Sequence, residues 1–407
     1  MKNFKNTIMK KLLARSLAFL IILLSSCNKG KDTPTSGQPP VADSTAVHPV
    51  SVYLKMAKET NKFITSNLLT SYNSYRVNTS TNTNSAFEWY NVSQLYADAA
   101  MIEIGDSSYL PSMNATFKWM ENMWDKADPD GGYFAFSNLD GSGASGTKYV
   151  DDNSLTGIAY LQAYDLTSGK DKDAYLSKAE ACANWIINSG LWDTSLGGGF
   201  WWNTEKVYKP TQTNGLALQL FLRLYGITSK SVYHDWASSV YNWLTTKMYD
   251  GNTGLFIWQY DNTGKKYSEI FTYDNAIMLE AYLWYGKVMN DPGYLSKAQA
   301  IAKAMNATLW DGAHNVYIFN TADKRINPAW CGWASQAMVR LYEADKNTSW
   351  LSYAKGNIDA INTVLRDPLS HGYYQFAGLD GAGRYTNMES VDQAWMQRIQ
   401  ALLSKYK

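Results

Sequence analysis

The chain has 407 residues, 45% hydrophobic and 18% charged, enough to fill a large core and to exclude a disordered, collagen-like or disulfide-stapled polypeptide. Aromatic residues make up 14%, with 16 Trp, 29 Tyr and 13 Phe against 4 His, an excess that demands a reason. The net charge of +1 divides unevenly: residues 1–26 hold five basic and no acidic residues, so 37 − 5 = 32 basic face 36 acidic ones in the remainder, a net of −4 that argues against nucleic acid as a partner.

The start reads as an export signal: basic residues to Arg15, an apolar run over 17–24 too short to span a bilayer, then two serines before Cys27. Leu24-Ser25-Ser26-Cys27 resembles the lipobox of bacterial lipoproteins, which implies cleavage after residue 26, a lipidated Cys27 and an exported, membrane-anchored protein on the cell surface or in the periplasm. Residues 27–49, rich in Gly, Ser, Thr, Pro and Lys, carry too little apolar surface to order themselves and read as a tether. The remaining cysteines, Cys182 and Cys331, sit in apolar helical patterns and are expected to be buried core residues.

From residue 50 to 407 the pattern predicts one domain of about twelve helices, over 51–72, 88–104, 108–126, 152–168, 172–190, 212–226, 230–248, 273–288, 292–308, 330–344, 347–364 and 389–405. Short connections such as Gly105-Asp106-Ser107 alternate with long loops, and Asp152, Asn214, Asp274 and Asp392 recur at multiples of about sixty residues, with Glu88 at the preceding step. Even-numbered helices are the more apolar. Six helix pairs with such an inner set predict an all-α (α/α)6 toroid, with an open solenoid as the alternative.

Each long loop carries a turn and then an aromatic run: Gly131-Gly132-Tyr133-Phe134, Gly198-Gly199-Phe200-Trp201-Trp202, Gly254-Leu255-Phe256-Ile257-Trp258, Val316-Tyr317-Ile318-Phe319 and Gly372-Tyr373-Tyr374-Gln375-Phe376. All precede inner helices, so these strand-like runs should gather at one mouth of the ring. Aromatic faces with carboxylates and amides in one opening suit sugars.

The sharpest constellation is Asp151-Asp152, which opens an inner helix behind a glycine-rich loop. Two neighbouring carboxyls repel, so one holds a proton while the other stays ionised, the division of labour that glycoside hydrolysis uses. Aspartate is also a preferred helix-start residue, a structural alternative for the same pair.

The run Tyr149-Val150-Asp151-Asp152-Asn153, then Gly197-Gly198-Gly199-Phe200-Trp201-Trp202-Asn203 and Tyr208-Lys209-Pro210-Thr211-Gln212-Thr213-Asn214-Gly215-Leu216, resembles glycoside hydrolase family 76, α-1,6-mannanases of (α/α)6 fold. The similarity covers most of 85–290. It implies a retaining, metal-free mechanism with Asp151 as nucleophile and Asp152 as acid/base, acting on a mannan-like polysaccharide. Trp201, Trp202, Asn203, Asn214, Tyr273 and Asp274 are the expected substrate contacts. Where many members have Tyr-Asn-Gln-Gly, this chain has Tyr273-Asp274-Asn275-Ala276, a change expected to alter the subsites.

Neither cofactor nor metal is expected, since the four histidines are scattered and no phosphate-binding loop or G-x-S-x-G elbow occurs. A closed toroid needs no partner chain, so a monomer is expected. Two other readings of the mouth are a non-catalytic glycan-binding lipoprotein and another six-hairpin carbohydrate enzyme, an epimerase or uronide hydrolase.

Overall fold

A computed structural model describes residues 51–80 and 83–406. The expected signal peptide, the Cys27 lipidation site and the tether lie outside the described residues. Twelve α-helices are present among those described: α1 Val52–Asn67, α2 Glu88–Glu103, α3 Leu110–Met120, α4 Val150–Leu166, α5 Gly169–Asn188, α6 Thr211–Thr228, α7 Ser231–Trp243, α8 Thr272–Met289, α9 Gly293–Thr308, α10 Pro328–Asp345, α11 Thr348–Leu365 and α12 Ser390–Leu403.

The even-numbered helices pack side by side in the order α2, α4, α6, α8, α10, α12, and α12 returns to pack on α2. That contact closes the ring and rules out the open solenoid. Each inner helix packs on the outer helix that follows it, except that α12, the last, packs on α1, the first. The sixth hairpin is therefore assembled from both ends of the domain. Within it Asn61 donates to Gln397 at 3.2 Å, while Tyr53 donating to Asp359 at 2.9 Å and Arg366 donating to Glu59 at 2.7 Å tie α1 to α11 and its C-cap.

Why the even helices line the ring is visible in α4, where every residue from Val150 to Ala163 is buried. A helix apolar or small all round belongs inside. Gly157 allows α4 and α6 to approach: a β-carbon there would stand 2.7 Å from Leu220 Cδ1. Cys182 and Cys331 are buried and unpaired, as the apolar patterns suggested.

Among the described residues, nine two- or three-residue strands decorate the outer-to-inner loops. Three of them, β1 (Tyr208–Pro210), β2 (Gln259–Asp261) and β3 (Lys266–Tyr267), make one antiparallel sheet. No helix among the described residues is long and apolar enough to cross a membrane.

One device repeats at the ring's mouth. The amide of Asn153, in the first turn of α4, accepts from the Tyr133 N–H at 2.7 Å and donates to the Tyr133 and Tyr149 carbonyls. Asn214 does the same for Phe200 and Pro210, Asn275 for Phe256 and Phe271, and Gln393 for Tyr373 and Glu389. Asn91 similarly binds Tyr75 and Phe87. In α10 the position is Cys331, and Asn357 of α11 serves instead, accepting from the Tyr317 N–H at 2.9 Å. These buried amides satisfy loop groups that water cannot reach.

The clamps define the true register of the repeat. Asp152, Asp274 and Asp392 each immediately precede a clamp residue, whereas Asn214 is itself a clamp and Glu88 falls two residues too early to match Asp152. The sixty-residue spacing is real. The alignment within it shifts by one residue at Asn214 and by two at Glu88.

Candidate active site

Helix α4 begins at Val150, two residues before the expected start, because the strand-like bridge between Tyr149 and Asn203 ends there. Both aspartates consequently lie in the first turn, where the helix dipole favours negative charge. The Val150 N–H donates to the Trp202 carbonyl at 2.9 Å, so the second glycine-led loop is stitched to the start of the aspartate helix.

Two donors meet one oxygen of Asp151. Its Oδ2 accepts from Trp202 Nε1 at 2.8 Å and from Gln212 Nε2 at 2.7 Å. Donors of this kind favour the ionised form. Asp152, also nearly buried, lies within electrostatic reach of Tyr90. Tyr90 in turn donates a hydrogen bond to Glu389, the residue capping α12.

Around the pair runs an arc of aromatic rings. Trp258 meets Phe271 with centroids 5.0 Å apart; Tyr273 meets Trp330 at 4.7 Å; Trp330 meets Trp89 at 5.3 Å, and Trp89 meets Tyr90 at 4.8 Å. Tyr149 and Trp202, 5.0 Å apart, stand beside Asp151. Tyr273 also lies within electrostatic reach of Asp151.

Of the residues expected on the substrate side, Asp151, Asp152, Trp202 and Tyr273 are brought together. Four others are placed differently. Asn214 is wholly buried with its amide consumed by backbone, a loop clamp and not a sugar contact. Trp201 is buried beneath the loop with Lys209 Nζ 4.8 Å from its ring centre, and that lysine is itself tied to Asp193 at 2.7 Å. Asn203 shapes the turn after Trp202, accepting from the Glu205 N–H at 2.9 Å. Asp274, which holds the same helical position as Asp152, has no exposed surface. Burial pushes its carboxyl well above the usual range, with the Gln212 backbone opposing.

The loop aromatics divide along the same lines. Tyr133, Phe200, Phe256, Tyr317 and Tyr373, the ones held by the amide clamps, are completely buried in the core. Only later members of the runs, such as Trp202, Trp258 and Phe319, are half-exposed.

Gln212, Trp89, Tyr90, Trp330 and Glu389 were not singled out from the sequence. Their signal was positional: Gln212 and Trp89 precede their clamp residues by two, as Asp151 does, and Tyr90 and Trp330 by one, as Asp152 does. His234, His314 and His371 sit on outer helices and turns, with side chains 41%, 43% and 37% exposed, away from the inner-helix starts.

The Trp202 bond yields a direct expectation. Trp202→Phe keeps an aromatic face and deletes one of the donors to Asp151, so kcat/KM should fall about tenfold, in line with a hydrogen bond to a charged group of about 1.5–3 kcal/mol. The acid limb of the pH profile should move to higher pH, since an ionised Asp151 has lost support. A profile unchanged in both rate and limb would detach Trp202 from the chemistry.

Several known proteins share this architecture. A GH76 α-mannanase of Bacteroides thetaiotaomicron superposes with a TM-score of 0.76 at 22% identity, over 87% of this chain and 96% of that one. The fold is also that of a cellobiose 2-epimerase from Bacillus thermoamylovorans, with a TM-score of 0.72 at 12% identity over 87% of this chain and 99% of that one. In sequence, the mannan endo-1,6-alpha-mannosidase DCW1 of Candida glabrata is 32% identical over 164 residues, 37% of this chain and 34% of that protein. DCW1 of Saccharomyces cerevisiae is 31% identical over 157 residues, 34% of each chain. The matched segment thus spans about a third of these curated relatives. Fold alone does not separate hydrolase from epimerase, but the family model for glycosyl hydrolase family 76 matches residues 56–321, the stretch that contains the aspartate pair, Trp202 and Gln212, and the chain belongs to that family.

Proposed function

We propose that the protein is a retaining endo-α-1,6-mannanase that uses Asp151 as nucleophile and Asp152 as acid/base. The observation that carries this reading is the pair of adjacent carboxyls in the first turn of α4, with Asp151 Oδ2 held by the neutral donors Trp202 Nε1 and Gln212 Nε2. Retaining glycosidases need two carboxyls only about 5 Å apart, a reach that adjacent residues in one helical turn supply.

In the first step Asp151 attacks the anomeric carbon as the bond from that carbon to the bridging oxygen breaks, and Asp152 gives its proton to the departing oxygen. In the second, Asp152 takes a proton from water, the resulting hydroxide attacks the same carbon, and the bond to Asp151 is released with net retention. The aromatic arc from Trp258 to Tyr90 supplies rings on which sugar faces stack.

Supporting the substrate assignment, the yeast relatives are mannan endo-1,6-alpha-mannosidases. Also, an inactive variant of the α-1,6-mannanase of Salegentibacter sp. HEL1_6, with two aspartates changed to asparagine, is in complex with α-1,6-mannotriose; that enzyme shares the fold with a TM-score of 0.70. The test is release of reducing ends from an α-1,6-mannan backbone, lost in Asp151→Asn and in Asp152→Asn. Binding of mannan without release, unchanged by either substitution, would leave a glycan-binding protein instead.

The same proposal places the enzyme outside the cytoplasm as a monomer held by lipid on Cys27, supported by the basic start, the apolar run over 17–24 and the residues preceding Cys27. Growth with labelled palmitate should mark the chain, and Cys27→Ala should abolish the label; label retained in that variant would sink the anchor.

A further inference from the structure

One exposed ring breaks the pattern of the repeat. In each outer-to-inner loop the residue whose N–H meets an amide clamp follows a tight turn: Tyr75, Tyr133, Phe200, Phe256, Tyr317 and Tyr373. Two residues earlier the backbone is left-handed in all six, at Asn73, Gly131, Gly198, Gly254, Asn315 and His371. The position before that one is therefore equivalent throughout. It holds Asp130, Gly197, Thr253, His314 and Ser370 in five loops, none with a phenyl, phenol or indole ring, and Tyr72 in the first. Tyr72 is 55% exposed.

The turn does not depend on that ring. Thr70 Oγ1 accepts from the Tyr72 and Ser74 N–H groups at 3.2 and 3.3 Å and lies 2.7 Å from Ser74 Oγ, which donates to the Leu139 carbonyl at 2.7 Å. Trp119 Nε1 donates to the same carbonyl at 3.0 Å, so the turn, α3 and the loop before α4 are fixed to one atom. Between them lies a groove of about 610 Å³, lined by Tyr72 and Asn73 of the turn, Lys118 and Trp119 of α3, Asn122 just beyond it and Asp140 of the loop. Among the described residues, the side chains of Asn73, Lys118 and Asn122 have no hydrogen-bond or ion-pair partner. Asp140 Oδ1 accepts from the Ser142 N–H and hydroxyl, and its Oδ2 is left over.

We propose that this groove is a second glycan site, on the outer side of the ring at α3, where Tyr72 stacks on the C–H face of a hexose in a neutral chain and Asn73, Lys118, Asn122 and Asp140 bind its hydroxyls. Mannan is taken as the ligand from the mannanase reading. The site itself is separate from the cleft of Asp151 and Asp152.

The chemistry of the lining selects the ligand. An apolar partner would strip water from unpaired amides and two charges without replacing its hydrogen bonds. An anion would meet Asp140, and a cation Lys118. A hydroxyl-rich neutral chain offers both donors and acceptors to the same set, and it has an apolar face for the ring. The turn also holds Tyr72 in place before any ligand arrives, which lowers the ordering cost of binding. The loop carrying Asp140 leads into the helix that opens on Asp151, and it is sewn together by Ser145 N–H to the Phe136 carbonyl at 3.3 Å and Ala135 N–H to the Thr147 carbonyl at 3.2 Å. A polymer held in the groove is thus kept beside the mouth, and two linked sites bind a long chain better than either alone.

The experiment measures retardation of the full-length Asp151→Asn chain in gels containing α-1,6-mannan, so that binding is read without turnover. Adding Tyr72→Ala is expected to raise the apparent Kd about tenfold, the loss of one of two linked contacts. Tyr72→Phe, which keeps the ring, should bind as the parent does. In the active enzyme Tyr72→Ala should raise KM on mannan and leave the kinetics on a dinitrophenyl α-mannoside unchanged, since a single sugar cannot reach both sites. Equal retardation of Tyr72→Ala and its parent overturns the proposal, and so does an equal loss on both substrates, the mark of a disturbed fold. If Tyr72→Ala does not fold, Lys118→Ala and Asn122→Ala, both exposed, carry the same test. The two readings fail separately: a wild-type chain that leaves mannan uncut but is retarded by it in a Tyr72-dependent way overturns the mannanase reading alone, whereas hydrolysis with retardation indifferent to Tyr72, Lys118 and Asn122 overturns only the groove.

Discussion

Asp151→Asn is expected to lower kcat/KM on α-1,6-mannan on the order of 10⁴-fold or more, as removal of a nucleophile does elsewhere. The substitution removes the atom that bonds to the sugar and changes little else. The side-chain carbonyl of asparagine still accepts from Trp202 Nε1 or Gln212 Nε2, so the fold at the start of α4 survives. Asp152→Asn should behave differently. Loss of an acid/base group costs about 10²–10⁴-fold on a natural glycan. With an activated aryl glycoside, bond breaking needs no proton, so the first step proceeds while hydrolysis of the glycosyl-enzyme lacks its base. A burst of aryl alcohol followed by slow turnover is the expected trace. Equal losses on both substrates in both variants, with no burst, would contradict the assignment of separate roles.

The second large effect lies outside the chemistry. Asn275→Ala deletes one amide that serves three backbone groups: it accepts from the Phe256 N–H at 2.7 Å and donates to the Phe256 and Phe271 carbonyls at 3.1 and 3.0 Å. The Phe256 N–H and carbonyl are buried and would lose this partner, while the Phe271 carbonyl keeps the Asn275 N–H at 3.4 Å. Each unsatisfied buried polar group costs about 1–3 kcal/mol, so a total on the order of 2 kcal/mol or more is expected. For a domain of this size that corresponds to a fall in Tm of roughly 3 °C or more, measured by thermal unfolding. The equivalent Asn214→Ala should destabilise similarly while also loosening Trp202, two residues beyond Phe200, and so should reduce activity more than Asn275→Ala does. A shift of under about 1 °C in Asn275→Ala would remove the clamp from the account of the fold.

Periodicity and spacing made the architecture legible: six helix pairs, the apolar inner set, the glycine-led aromatic loops and the adjacent Asp151-Asp152 all follow from residue pattern. The site was legible only where a residue's type already announced chemistry. Asp151 and Asp152 are carboxyls beside each other, and Trp202 follows three glycines. Gln212 and Tyr90 are ordinary residues whose importance comes from register, and that register is set by amides such as Asn153 and Asn275 that hide inside the core. Asn214 illustrates the confusion most directly. An asparagine at the start of an inner helix is equally suited to a sugar hydroxyl or to a neighbouring loop backbone, and only the placement of Phe200 decides between them. Asp274 misled because it shares the helical position of Asp152 and yet has no exposed surface.

The sixth hairpin has a consequence for how the protein comes into being. Because α1 and α12 are partners, contacts such as Thr60 with Gln400 join residues 340 positions apart, and Glu389 of this last piece holds the Tyr90 hydroxyl. Bringing chain ends that distant together is slow, since loop-closure entropy comes before any contact repays it. A nascent chain lacking α12 is an open arc with one side of α2 uncovered. Resistance to protease and the first turnover should therefore appear together, and only after the final fourteen-residue helix has been delivered.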